Sequence, residues 1–142
     1  MRSLGRAKDP ELIKQTLALP FSSEVKEQDI YLPVSALRTH TEGIEALFGW
    51  MTENWEELNK KLPAGLSMLG TMVSICTSSF AREADLKRVE KFFEGRSTKG
   101  FDQGLAQSLD AIRAKSAWLS RDTEDVKSWV AAYGPKTVKS EL

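Results

Sequence analysis

The sequence predicts an all-α protein of antiparallel helical hairpins, stacked as a HEAT/armadillo-like superhelix. Apolar residues recur at i, i+3, i+4 and i+7 along most of the 142 residues, the period of a helix that turns one face to a core. No segment reads as a strand. The breaks between periodic segments are short, and short connections between helices of similar length make neighbours antiparallel. No exact internal repeat is visible, which degenerate helical arrays tolerate. Residues 1–142 are read as a single helical domain, and as part of a larger one. The reason is the start: Gly5 and an Asp9 cap follow Met1 almost at once. The first helix therefore has no hairpin partner before it.

Each element has its own warrant. Asp9-Pro10-Glu11 opens the first helix: the aspartate caps free amides, proline fits the first turn and glutamate suits the dipole. Leu12, Ile13 and Leu17 follow, and the helix stops before Pro20. A second helix is expected over residues 26–38, with Pro33 either in its first turn or kinking its middle. The third carries the clearest stripe: Ile44, Leu47, Phe48, Met51, Trp55, Leu58 and Leu62. Thr41 is its expected cap and Pro63-Ala64-Gly65 its stop. The fourth, over residues 67–80, has no charge on any face, so neighbours should enclose it. The fifth, over residues 83–94, turns Leu86, Val89, Phe92 and Phe93 inward. Residues 95–100 form a loop by composition. A sixth helix runs to Ser120 with Leu105, Leu109, Ile112 and Leu119 as its core face. A seventh starts at an Asp122 cap, carries Val126, Trp129, Val130 and Tyr133 as a core stripe, and ends at Gly134-Pro135.

Composition narrows the function. Twenty basic and 20 acidic side chains cancel, so a nucleic-acid backbone or an acidic membrane is not the expected partner. One cysteine, Cys76, allows no internal disulfide and fits a reducing, cytoplasmic setting. One histidine, His40, and one cysteine cannot supply the usual three or four ligands of a zinc site. No apolar h-region follows Met1, and the uncharged stretch 62–81 carries Pro63, Gly65 and Gly70, so it reads as loop and buried helix rather than a membrane span. Lys139-Ser140-Glu141-Leu142 only brushes against a retrieval signal and is read as a tail.

The candidate chemistry is sparse. Arg38 and His40, at the junction of the second and third helices, can meet a carboxylate or a peptide carbonyl. The competing reading, a solvated turn with Arg38 on the helix dipole, is the commoner use of such residues. Cys76 has no cation beside it in sequence and reads as packing rather than a nucleophile. Thr71, Ser74, Thr77 and Ser78 recur near helical spacing; they either line a polar cavity or bond back to their own helix. Trp55 and Trp129 fall on core stripes, while Trp50 and Trp118 sit at stripe edges and suit contact with another domain. No phosphate-binding glycine pattern and no nucleophile–base pair is present, so no catalytic residue is assigned.

Several strings resemble one family. Gly5-Arg6-Ala7-Lys8-Asp9-Pro10-Glu11-Leu12-Ile13, Ser23-Glu24-Val25-Lys26-Glu27-Gln28-Asp29, Glu53-Asn54-Trp55-Glu56-Glu57-Leu58, Val89-Glu90-Lys91-Phe92-Phe93-Glu94 and Ala117-Trp118-Leu119-Ser120-Arg121-Asp122 resemble, in that order, the C-terminal region of zinc aminopeptidases of the puromycin-sensitive and aminopeptidase N type, nearest the fungal branch. The resemblance covers residues 4–133. It implies an all-helical bowl that packs on a catalytic domain, encloses the active-site chamber and limits substrate length. The family's zinc motif H-E-x-x-H and its G-x-M-E-N motif are not in this sequence. The resemblance therefore implies zinc in a parent enzyme and none in this segment. The expected partners are the parent's catalytic domain and its peptide substrate, with a homo-oligomer through an uncovered apolar face a further expectation. The competing reading is an independent α-solenoid scaffold that binds a protein in a groove.

Overall fold

The computed structural model describes residues 8–62 and 67–133. Among these residues every regular element is helical, as the periodicity predicts. The Gly5 string, the Pro63-Ala64-Gly65 stop, the Gly134-Pro135 stop and the C-terminal tail lie outside the described residues.

Helix α1 spans Pro10–Ala18. Asp9 caps it as predicted: its carboxylate accepts from the amides of Glu11 at 2.9 Å and Leu12 at 3.1 Å. It buries Ile13, Thr16 and Leu17 and passes into a 3₁₀ turn, Leu19–Phe21, that carries Pro20.

The next segment is not one helix. Residues 26–38 divide into a 3₁₀ turn Glu27–Asp29, a short α2 at Tyr31–Ser35 and a second 3₁₀ turn Ala36–Thr39. Pro33 lies in the first turn of α2, where its missing N–H has no intrahelical partner to lose. The hydroxyls of Ser35 and Thr39 donate to the carbonyls of Leu32 and Ala36, three residues back, at 3.0 Å each. Such local bonds compete with the α ladder and favour the tighter turn.

The long third helix is also interrupted. Helix α3 covers Thr41–Glu53 and α4 covers Trp55–Lys61. Asn54 leaves the helical region at φ −107°, ψ 21°, and its side-chain amide donates to the Trp50 carbonyl at 2.8 Å. The cap is His40, not Thr41. His40 has extended backbone (φ −148°, ψ 156°), and its Nδ1 accepts from the Gly43 amide at 3.0 Å. Thr41 is the first helical residue instead.

Helix α5, Ser67–Thr77, is enclosed as its lack of charge predicts. It buries Leu69, Met72, Val73, Ile75 and Cys76 and packs on α2, α3 and α7 (Asp102–Tyr133). It ends three residues earlier than expected, but Phe80 still reaches the core at 3% exposure. Helix α6, Glu83–Phe93, buries Leu86, Val89 and Phe93 and packs on α7. It also buries Asp85, which Arg82 and Arg88 each meet at 3.2 Å. Both arginines reach across to Glu45 of α3, at 3.5 and 2.9 Å. Gly95 follows α6 at φ +74°, the left-handed position that ends many helices and that suits glycine.

Helix α7 corrects the expectation of two final helices. It runs unbroken for 32 residues. Asp122 is no cap: it sits mid-helix and accepts from Arg121 Nε at 2.6 Å. Residues 114–126 contain neither glycine nor proline, so a capping-type residue alone does not break the helix. Only its first part meets the body, through Leu105, Ser108 and Ile112. Val126, Trp129, Val130 and Tyr133, expected as a core stripe, are 47–74% exposed.

Trp55 ties the body together. Its ring lies 5.5, 5.4 and 6.0 Å from those of Phe92, Phe93 and Phe101, all edge-on. Phe48 extends the cluster to Phe80 at 5.4 Å and Phe92 at 6.2 Å.

Gly43 is where this fold is least tolerant. A Cβ there would stand 2.2 Å from the Leu37 carbonyl oxygen and 2.8 Å from the His40 ring. Alanine is the better helix former by about 1 kcal/mol, yet Gly43→Ala is expected to destabilise the protein by about 1–3 kcal/mol, because a backbone atom blocks the site. Urea denaturation with an unchanged slope and a lower midpoint is the expected result; an unchanged or raised midpoint would contradict it.

Candidate functional site

Two of the open grooves on the described surface bear on function. The first is polar and has a volume of about 700 Å³. One wall is α5, which offers Ser67, Thr71 and Ser74; the other is the first turns of α7, with Asp102, Gln103 and Gln107. Arg38 stands on its rim. The Arg38 guanidinium donates from Nε to Ser79 Oγ and from Nη2 to Ser78 Oγ, at 3.0 Å each. Lys115 of α7 donates to the Ser78 carbonyl at 2.6 Å. Two cations thus converge where α5 ends, and each suits the partial negative charge of a helix C-terminus.

Arg38 therefore meets the serine hydroxyls that follow α5 rather than the end of its own segment. Partners 40 and 41 residues away are invisible to local sequence reading. The hydroxyl series divides between its two expected roles. Thr71 and Thr77 donate to the carbonyls of Ser67 and Val73, at 3.0 and 2.8 Å. Ser74 lines the groove and Ser78 receives Arg38.

His40 does not share Arg38's surroundings. Its side chain is 7% exposed, caps α3 and lies 3.3 Å from Glu42 Oε2. The backbone beside Glu42, ahead of the His40 contact, holds its carboxyl below the usual value. Cys76 is buried, and desolvation raises its thiol to about 12, against a smaller opposing effect of Arg38. That environment is the reverse of one that activates a nucleophile.

The second groove, also about 700 Å³, runs between α1 and α3. Its floor is apolar, with Ile13, Leu17, Phe21 and Trp50. Lys8 and Lys14 line the α1 side, Glu42 and Glu53 the α3 side. Trp50, expected at a stripe edge, is only 8% exposed and stacks 5.5 Å from Phe21. Of the tryptophans, Trp55 is in the core as expected, Trp118 is exposed as expected, and Trp129 is exposed instead of packed.

Residues 1–114 match the ERAP1-like C-terminal domain family. The chain belongs to that family. Aminopeptidase 2, mitochondrial, of Saccharomyces cerevisiae is 48% identical over 134 residues, covering 94% of this chain and 14% of that protein. The alanine/arginine aminopeptidase of the same yeast is 41% identical over 133 residues, covering 94% of this chain and 16% of that protein. Endoplasmic reticulum aminopeptidase 1 of Mus musculus is 25% identical over 136 residues, with 94% of this chain and 15% of that protein covered. The resemblance read from the sequence strings thus stands. The chain spans about a seventh of the length of the curated relatives it matches.

As an ERAP1-like C-terminal domain, the chain offers little to a zinc ion. Among the described residues no three His, Cys, Asp or Glu side chains gather in a ligand set. The one histidine is engaged at a helix cap and the one cysteine is held as a thiol. The donors among the described residues do not fit a zinc ion. Among the described residues, no helix is long and apolar enough to cross a membrane.

Burial makes Cys76 testable. In the native protein at pH 8 a thiol-specific disulfide reagent is expected to leave Cys76 unmodified for hours. The same reagent should label it within minutes in denaturant. Rapid native labelling would contradict the raised pKa and the buried setting.

Proposed function

We propose that this chain is the non-catalytic C-terminal helical portion of a zinc metallo-aminopeptidase. In this reading it caps the active-site chamber and shapes peptide access while the parent removes N-terminal amino acids. The carrying observation is the family match over residues 1–114, in a chain that covers 14% of an aminopeptidase 48% identical to it. Zinc and the catalytic residues belong, in this reading, to the rest of the parent, since the sequence has one histidine and no H-E-x-x-H motif. The catalytic domain and the peptide are then its partners. A lone buried thiol fits a cytoplasmic location, although the name of the yeast relative gives a mitochondrial one.

The α1/α3 groove supports the wider architecture. An apolar floor between a basic and an acidic rim suits an amphipathic helix. In this reading a preceding helix of the parent fills it, and the stack of hairpins continues as a HEAT-like superhelix with this chain as its last part.

The polar groove supports the peptide role. Arg38 has guanidinium N–H groups left beyond its two serine bonds and can take a carboxylate or a carbonyl from a long peptide. His40, the other residue of the junction, contributes by holding the turn that carries Arg38, since its Nδ1 is engaged on Gly43.

Two experiments test this reading. The purified chain should not hydrolyse aminoacyl chromogenic substrates, with or without added zinc; zinc-dependent turnover would overturn it. In the parent enzyme, Arg38→Ala should raise KM for long peptides several-fold and leave KM for aminoacyl amides nearly unchanged. Equal effects on both substrates would remove Arg38 from peptide binding.

A further inference from the structure

The α1/α3 groove carries a pattern that packing among the described residues does not use. On α3, Glu42, Ala46, Gly49 and Glu53 line it. They recur at i, i+4, i+7 and i+11, and at 100° per residue they fall within about 60° of one helix face. Two small residues are thus flanked by a carboxylate at either end, about 17 Å apart along the helix at 1.5 Å per residue. Both glutamates are exposed. Across the groove the exposed Lys14 stands on α1, and Ile13, Leu17 and Trp50 make the apolar floor between the two rims.

Gly49 separates this face from an ordinary surface. Glycine weakens a helix interior, so a glycine there needs a reason. Gly43 has one within the chain, the Leu37 carbonyl oxygen 2.2 Å from where its Cβ would stand. Gly49 has none among the described residues: a Cβ there would meet nothing within 4 Å. The missing side chain leaves a notch that opens on the groove, next to the small Ala46. Over such a notch the axis of a second helix can come to about 8 Å, the close end of helix–helix separations.

We propose that this groove docks one amphipathic helix whose backbone crosses α3 at Gly49, with basic side chains placed for Glu42 and Glu53 and an acidic one for Lys14. The occupant is the preceding helix of the parent, so the proposal rests on the reading above and adds the chemistry by which that helix is chosen. Its apolar side chains fill the seam over Ile13, Leu17 and Trp50 and supply the affinity. The charges set register and direction. Basic residues about eleven positions apart on one edge span both glutamates, which takes three helical turns. With the basic edge over α3 and the acidic edge over α1, only one of the two directions along the groove pairs all three charges.

Fluorescence anisotropy of the 142-residue chain with two labelled peptides of about 20 residues, long enough to form a helix, tests it. The first has a leucine seam, one edge with two lysines set three turns apart and an opposite edge of glutamates. The second has glutamine at every charged position. The charged peptide should bind in the micromolar range and the glutamine peptide several-fold more weakly. Glu53→Lys should weaken the charged peptide several-fold and leave the glutamine peptide unchanged. Gly49→Leu should weaken both at least about tenfold, while the thermal midpoint of the chain holds or rises, because leucine is the better helix former and meets open space there. In the parent enzyme the same substitution should lower the thermal midpoint by displacing the resident helix. No binding of the charged peptide at about 300 µM, equal affinity for the two peptides, or full affinity after Gly49→Leu would overturn the proposal. Equal affinities beside a destabilised parent would strike the charge recognition and leave the groove filled by a helix; a parent that Gly49→Leu leaves unchanged would overturn both.

Discussion

Trp55 begins α4 and its indole meets three phenylalanine rings from two other parts of the chain. Phe92 and Phe93 close α6, and Phe101 stands just before α7. Each edge-on pair contributes about 0.5–1.5 kcal/mol beyond the area it buries. The placement matters more than any one pair. Phe93 and Phe101 are themselves 5.9 Å apart and bracket the loop between α6 and α7. The contact thus sets where α7 starts. Once its start is set, the first turns of α7 lie beside α5 and the polar groove forms between them. The same contact leaves the far half of α7 standing clear of the body.

A second tier of polar contacts orients what the rings bring together. Arg38 and Lys115 come from opposite sides to the end of α5. Arg82 and Arg88 hold the buried Asp85 and reach Glu45, joining α6 to α3. Arg88 also lies 5.2 and 5.5 Å over the rings of Phe48 and Phe80. It therefore links the charged network to the aromatic one. These pairs are at least partly exposed, so their worth lies in geometry more than in free energy. They fix how helices meet after apolar burial has brought them close.

The candidate site was half legible in the sequence. The hydroxyl series on an uncharged helix pointed to a polar cavity or to back-bonding, and both occur on the same helix. Arg38 was legible as a cation near a helix end, but not which end, since its partners lie 40 and 41 residues away. His40 reads from sequence as a partner of Arg38 for a carboxylate or carbonyl, or as part of a solvated turn; its extended backbone, which presents Nδ1 to Gly43, appears only in three dimensions. Lys115 carried no signal at all. It is one lysine among many on a long amphipathic helix, and only the approach of α7 to α5 gives it a role.

Sequence by itself determined the helical class, the α1 cap, the enclosed α5 and the family strings, because each rests on residues within one or two helical turns of one another. The tertiary structure decided where helices break and where they do not. Asn54 divides one periodic stripe by taking the Trp50 carbonyl, whereas Asp122 divides nothing, because no neighbour or proline opposes the helix there. It also decided which apolar faces are core. Trp50 sits at a stripe edge and Trp129 on a stripe, yet the first packs under α1 and its turn while the second points into solvent. Periodicity reports that a face is apolar. Only the length of the body beside the helix decides whether anything of this chain lies against it.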